Sequence, residues 1–198
     1  MNTIRTFLAL LTFIALFVGC KKEEAQPQIQ LVQNGNVEQK FQNWFFNYDA
    51  ANSKNPNGYD FGFTAEAASS PQYSLKINCN TVKSDSAFCF YGQSFATPTI
   101  IATGAKVTLS AAVKTVNLKG KGVSIALRGD KMVNGRNTQV FFTTTQGKMS
   151  ITGTNEFKTY SVTLDSYPGN IDNLIIFLVY LPETTGAVYF DDVSLAVN

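Results

Sequence analysis

The amino-acid sequence predicts an all-β domain, a sandwich or a barrel, on three observations. Apolar residues recur at every second position through much of the chain, a pattern typical of half-buried β-strands. Clusters of Gly, Pro, Asn and Asp separate these segments at short intervals, as turns do. No convincing helical stretch follows residue 26. Short strands in regular succession, without helices, favour a sandwich or a barrel.

The alternation also predicts which face each side chain occupies. In residues 122–128, Val123, Ile125 and Leu127 share one face, which places Arg128 on the opposite face or at its rim. Residues 174–181 are apolar on both faces, which indicates a strand that is covered on both sides or central in a sandwich. The alternating segments are 73–79, 87–91, 106–114, 122–128, 157–164 and 187–195.

Composition excludes several functional classes. Hydrophobic residues make up 44% of the 198 residues and charged residues 15%, which is enough apolar material for a core. The net charge of +2 comes from scattered basic residues, so no nucleic-acid surface is predicted. The chain has no histidine, the commonest general base and metal ligand. No carboxylate pair falls in a recognisable catalytic motif, and we expect the protein not to be an enzyme.

The first residues have the parts of a secretory signal. Arg5 precedes an apolar run over residues 7–18, which is well short of the roughly 20 residues needed to span a bilayer. We therefore expect residues 1–19 to be a signal peptide that is removed. Gly19-Cys20 at its end resembles the lipobox of bacterial lipoproteins, which implies that Cys20 is lipidated. The alternative is an ordinary signal peptide followed by a chance cysteine.

A short charged segment follows Cys20. Residues 21–24 read Lys-Lys-Glu-Glu and resemble the export signal of surface lipoproteins of the Bacteroidetes. The resemblance implies a lipid-anchored protein of the outer membrane that faces the cell exterior. Alternatively, the charges only solvate a tether over residues 20–27. The remaining residues, 28–198, are predicted to form one domain.

Two cysteines remain in that domain, Cys79 and Cys89. They lie in neighbouring predicted strands joined by a polar loop, and antiparallel neighbours can bring two Cα atoms within disulfide range. Export to an oxidising compartment favours the bond. We therefore predict a disulfide between them, with two buried free thiols as the alternative.

An ordered set of short motifs resembles a known group of folds. Asn-Gly-Asn-Val-Glu at residues 34–38 is followed by the segments 70–77, 157–162 and 188–195. In this order they look like the galactose-binding-like jelly rolls that include carbohydrate-binding modules of families 4, 9 and 22. The resemblance implies a single jelly-roll β-sandwich of two antiparallel sheets and a glycan or polysaccharide as the ligand.

The same resemblance implies a structural Ca²⁺ site. Its carboxylates would be Glu38 near the start of the domain and Asp191 or Asp192 near the end. Ca²⁺ takes six to eight oxygen ligands, which carboxylates and loop carbonyls can supply. The alternative is that both aspartates end a strand in solvent.

Sugar binding needs aromatic faces and planar polar groups. The candidates are Tyr59 and Tyr91 as loop aromatics, Arg128, and the pair Gln139 and Phe141, which alternation places on one face. These residues predict a lipid-anchored surface protein that captures a glycan without catalysis. A protein–protein interaction module, an accessory subunit or an adhesin, is the alternative use of the same sandwich.

Overall fold

The computed structural model describes residues 30–48, 55–96 and 100–198. The predicted signal peptide, Cys20 and the tether lie outside the described residues. Within those residues the chain forms ten strands, and no helix there is long and apolar enough to cross a membrane. The strands are β1 (Phe45–Tyr48), β2 (Asp60–Thr64), β3 (Ser74–Cys79), β4 (Cys89–Ala96), β5 (Val107–Lys119), β6 (Val123–Val133), β7 (Arg136–Thr144), β8 (Gly153–Leu164), β9 (Asn173–Tyr180) and β10 (Thr185–Val197).

The strands form two five-stranded sheets, which we call the front and back sheets. The front sheet has the order β1-β4-β9-β6-β7 and the back sheet the order β2-β3-β10-β5-β8. Every pairing is antiparallel. Strands that are neighbours within a sheet are rarely consecutive in sequence. The chain therefore crosses repeatedly from one sheet to the other. The predicted sandwich of two antiparallel sheets is confirmed.

Alternating side chains build the core between the sheets. On β5 the apolar face runs from Val107 to Val113 and is fully buried, as the sequence predicts. On β9, Ile176 and Leu178 face the core, while Phe177 and Val179 are half-buried on the outer face of the front sheet. The double apolar pattern of β9 therefore arises because one face packs in the core and the other lies on an external surface.

A bulge interrupts the β6–β7 hairpin. Gly129 pairs with Phe141, but Asp130 pairs with Gln139, so Val140 is an extra residue on β7. A Cβ on Gly129 would lie 2.2 Å from Cε1 of Phe141, so glycine is required for this close approach. The Gly129-Asp130 dipeptide, which reads as a turn in the sequence, thus marks a bulge. The chain reverses later, at residues 134–135, where both φ angles are positive, 51° and 74°, as in type I′ turns.

The disulfide prediction is wrong for this structure, in which Cys79 and Cys89 are buried free thiols. Cys79 ends β3 in the back sheet, whereas Cys89 begins β4 in the front sheet. The two strands are therefore not the paired neighbours that the prediction assumed. The thiol of Cys79 lies 3.4 Å from the carbonyl oxygen of Thr81. Burial raises the pKa of both thiols above the ordinary cysteine value.

A candidate ligand groove on the front sheet

A groove of about 480 Å³ lies on the outer face of the front sheet. Its floor and walls come from β4, β9, β6 and β7 together with the segments that flank them. On β6 it extends from Ser124 to Arg128, a span of roughly 13 Å at the strand rise. The lining residues are Phe88, Phe90, Ser124, Arg128, Gln139, Phe142, Thr144, Gln146, Phe177, Val179, Leu181 and Pro182.

Phenylalanine rings form one side of the groove. The ring of Phe90 packs edge-on against Phe177, with centroids 5.1 Å apart, and stacks with Phe88 at 6.3 Å. Outside the lining, Phe45 of the edge strand packs edge-on against Phe90 at 6.2 Å. A Cβ on Gly92 would lie 2.6 Å from Cζ of Phe45, so this glycine lets the Phe45 ring lie over β4. The result is a continuous aromatic surface.

Phe142 stands across the sheet from these rings. It lies on the edge strand β7, paired with Arg128 of β6, and 48% of its surface is exposed. A large apolar side chain that is exposed to solvent beside a groove can contact a ligand bound there. The groove therefore has aromatic groups on both of its long sides.

Arg128 is held by an ion pair on the same strand. Its Nε donates to Oδ1 of Asp130 at 2.7 Å. The side chain of Asp130 is 2% exposed, whereas that of Arg128 is 33% exposed. Within the described residues, this is the only hydrogen bond that the guanidinium makes. The buried carboxylate therefore fixes Arg128 while its terminal amino groups stay available at the groove.

Neutral polar groups complete the lining. Ser124 is buried, and its Oγ lies 2.7 Å from Oγ1 of Thr144 and 3.0 Å from Oγ1 of Thr145. Gln139 and Gln146 are exposed on the β7 side of the groove. Amides and hydroxyls can both donate and accept hydrogen bonds. The groove thus combines apolar rings with groups that suit ligand hydroxyls.

Of the five ligand residues predicted from the sequence, Arg128 and Gln139 line the groove. Phe141 does not, because the bulge at Val140 reverses the alternation between residues 139 and 141. Its ring packs against the core instead, 6.4 Å from the ring of Tyr167. Phe142 occupies the place in the groove that the sequence assigned to Phe141.

Tyr59 and Tyr91 are core residues, so their prediction as exposed ligand aromatics is wrong. Tyr59 is 4% exposed, and its hydroxyl donates to the carbonyl of Ala87 at 2.7 Å. Tyr91 is fully buried on the inner face of β4, and its hydroxyl donates across the sandwich to the carbonyl of Lys76 at 2.9 Å. Both phenols are therefore satisfied inside the protein.

Sequence reasoning missed most of the apolar lining. Phe177 and Val179 are the outward half of the double apolar pattern of β9. That pattern predicts a strand covered on both sides or central in a sandwich, and β9 is the central strand of the front sheet. Phe88 and Phe90 lie in a run of apolar residues in which either phase of alternation is plausible. The sequence signal that could have identified them is Cys89, which lies between them. Cysteine is among the residues most often buried, and the buried Cys89 places its two neighbours on the outer face.

The carboxylate of Asp191 is enclosed by protein donors. It is fully buried, and Oδ2 accepts hydrogen bonds from the backbone N–H groups of Ser69 and Ser70, at 2.7 and 2.8 Å. Its Oδ1 accepts from the Ser70 hydroxyl at 2.9 Å and from the Asp192 N–H at 2.7 Å. Burial raises the pKa of Asp191, and the hydrogen bonds oppose that shift.

Glu38 also binds the loop of residues 69–73, to which Ser69 and Ser70 belong. Its Oε1 accepts from the N–H groups of Gln72 and Tyr73, at 2.9 and 3.2 Å. Asp192 is exposed. Within the described part of the chain, no three Asp, Glu, Cys or His side chains converge on one point. The predicted set Glu38, Asp191 and Asp192 does not fit a calcium cage here, since its buried member is enclosed by hydrogen-bond donors.

Replacing Asp191 by asparagine should lower the free energy of unfolding by about 2–3 kcal/mol, because an amide NH₂ would face N–H donors that have lost their acceptor. Asp192→Asn is the matched control. Residue 192 is exposed with φ 46°, a conformation that asparagine tolerates, so we expect a change within about 0.5 kcal/mol. Urea denaturation of both variants measures the difference. Equal stability of the two variants would contradict the structural role of Asp191.

Comparison with solved structures identifies the fold. The chain matches no protein-family model and no curated protein sequence. A family 16 carbohydrate-binding module superposes with a TM-score of 0.56 at 17% identity, over 84% of this chain and 99% of the module. A family 4 carbohydrate-binding module gives 0.52 at 18% identity, with the same coverage. The enzymatically active domain of tailspike protein 4 from bacteriophage CBA120 gives 0.61 at 14% identity, over 86% of this chain but only 22% of that one. The predicted jelly-roll fold is confirmed.

Proposed function

We propose that this protein is a non-catalytic carbohydrate-binding protein whose front-sheet groove holds a segment of a glycan chain. The observation that carries the proposal is the pairing of exposed Phe142 with Arg128 inside an aromatic-lined groove. Aromatic faces pack on the apolar faces of sugar rings, and planar polar groups bond their hydroxyls. The fold shared with carbohydrate-binding modules supports the same assignment.

The proposal includes attachment to the outer membrane through a lipid on Cys20, with the domain facing the cell exterior. Residues 21–27 would then link the lipid to the sandwich. A fully extended linker of this length reaches roughly 25 Å. The groove would therefore stay close to the membrane, where captured glycan can be passed to neighbouring proteins.

A retention screen tests the proposed function. Mature chain from residue 20 onward, with Cys20→Ser to prevent lipidation, is run through gels that contain individual neutral and acidic polysaccharides. We expect at least one polysaccharide to retard the protein in a saturable manner. A folded sample that none of them retards would contradict the proposal and favour the protein–protein interaction module.

The same screen tests the predicted calcium. Repeating it in EDTA and again with added CaCl₂ separates a calcium requirement from direct binding by the groove. Loss of retention in EDTA that CaCl₂ restores would support a structural calcium ion in this protein. Retention that EDTA leaves unchanged would contradict a calcium requirement for binding.

A further inference from the structure

We infer that the groove prefers acidic glycans, and that Arg128 binds the carboxylate of a uronic acid residue. This inference rests on the proposed function and specifies its ligand class. Of the residues that line the groove, Arg128 is the only charged one. A ligand in the groove therefore meets one cation and no lining carboxylate.

The arrangement of the ion pair leaves the cation accessible and its partner hidden. Asp130 is 2% exposed and contacts the guanidinium at Nε. The two terminal amino groups carry the remaining four N–H donors of the arginine side chain. Their planar geometry matches the two oxygens of a carboxylate, as in bidentate arginine–carboxylate pairs. The bond to Asp130 orders the arginine before a ligand arrives, which reduces the entropy lost on binding.

The apolar neighbours of Arg128 strengthen an ion pair between its guanidinium and a ligand carboxylate. Phe142 is its cross-strand partner on β7, and the half-buried Ile175 is its partner on β9. Apolar neighbours lower the local dielectric, so that an ion pair formed there is worth more than on open surface. Gln139, opposite Asp130 on β7, is placed to bond hydroxyls of the same sugar unit. An acidic sugar would thus bond the terminal amino groups of Arg128 and the neighbouring amide together.

The experiment compares polyuronates with their carboxyl-reduced, neutral counterparts. Polygalacturonate and alginate are each tested in both forms by affinity electrophoresis with the full mature chain carrying Cys20→Ser. We expect at least one polyuronate to bind at least tenfold more tightly than its reduced form, with a preference that weakens as salt increases. Arg128→Gln should abolish the preference. Arg128→Lys should recover only part of it, because lysine keeps the charge but not the planar fork.

Arg136→Gln is the matched control. It removes one positive charge from the exposed tip of the β6–β7 hairpin, outside the groove, and should leave the preference unchanged. Equal binding of acidic and reduced polymers, or a preference that survives Arg128→Gln, would overturn the inference. Binding of neutral glycans alone would overturn the acidic preference and leave the proposed function standing. Retention by no polysaccharide of either kind would overturn both.

Discussion

Replacement of Tyr91 by alanine should lower the free energy of unfolding by about 3–5 kcal/mol, the usual cost of deleting a large buried aromatic side chain. Tyr91 is fully buried on β4. Its ring contacts Phe61 edge-on at 5.6 Å and stacks with Phe41 at 6.2 Å. Because domains of this size are stable by only about 5–15 kcal/mol, the loss should be visible as a large fall in the urea midpoint.

The conservative variant separates the ring from its hydroxyl. Tyr91→Phe keeps the packing and removes the hydrogen bond to the carbonyl of Lys76, so we expect a loss of about 1 kcal/mol. Under conditions where either variant is folded, glycan retention should equal that of the parent chain. Retention lost at unchanged stability would instead make Tyr91 a ligand residue and contradict its placement in the core.

Phe142→Ala should weaken glycan binding at least tenfold while changing stability by less than about 1 kcal/mol. The ring is 48% exposed on an edge strand, so the folded state loses little buried area without it. Aromatic side chains that a ligand covers are among the residues that contribute most to binding. The dissociation constant for the best polysaccharide of the screen, measured by affinity electrophoresis, gives the change directly.

Phe46→Ala is the matched control for Phe142. Phe46 is 47% exposed and also lies on an edge strand of the front sheet, but it does not line the groove. It stacks with Phe61 at 5.4 Å, so its removal should affect stability more than glycan affinity. If the two alanine variants weaken binding equally, the groove is not the binding site.

Alternation alone predicted much of the fold because most strands have one face in the core. The inward phase of β5 and of the first half of β6 follows directly from the spacing of their valine, leucine and isoleucine residues. That phase also placed Arg128 on the outer face, where the groove lies. A side chain's face can be predicted this way wherever the strand is regular and only one face is apolar.

The failures occurred where one of these conditions does not hold. The bulge at Val140 adds a residue to β7, so counting by twos exchanges the faces of Phe141 and Phe142. The register shift is a relation between β6 and β7, two strands that pair in the folded sheet, so no local pattern in the sequence of β7 shows it. In β9 both faces are apolar, and sequence alone does not distinguish a covered face from one that lines an open groove.

Asp191 shows a different limit of sequence reasoning. Asp191 lies where the pairing of β10 with β5 shifts register, and its carboxylate is fully buried, so it needs compensating hydrogen bonds. The compensation comes from Ser69 and Ser70, about 120 residues earlier in the chain. A contact at this sequence distance depends on the completed fold, so the sequence does not show that these donors surround Asp191.

The two buried thiols can report on unfolding of the core, because a reagent reacts with them only when they become exposed. The chain contains three cysteines, so replacement of Cys20 leaves Cys79 in the back sheet and Cys89 in the front sheet. Both thiols are buried, and burial raises the pKa of each, so we expect them to resist alkylation in the native state. A reagent reaches them only when the core opens, so labelling rates follow the population of open molecules. Equal labelling rates at the two cysteines would indicate that both sheets open together, and unequal rates that one sheet opens first. The same rates measured with bound glycan show how far the ligand slows each opening.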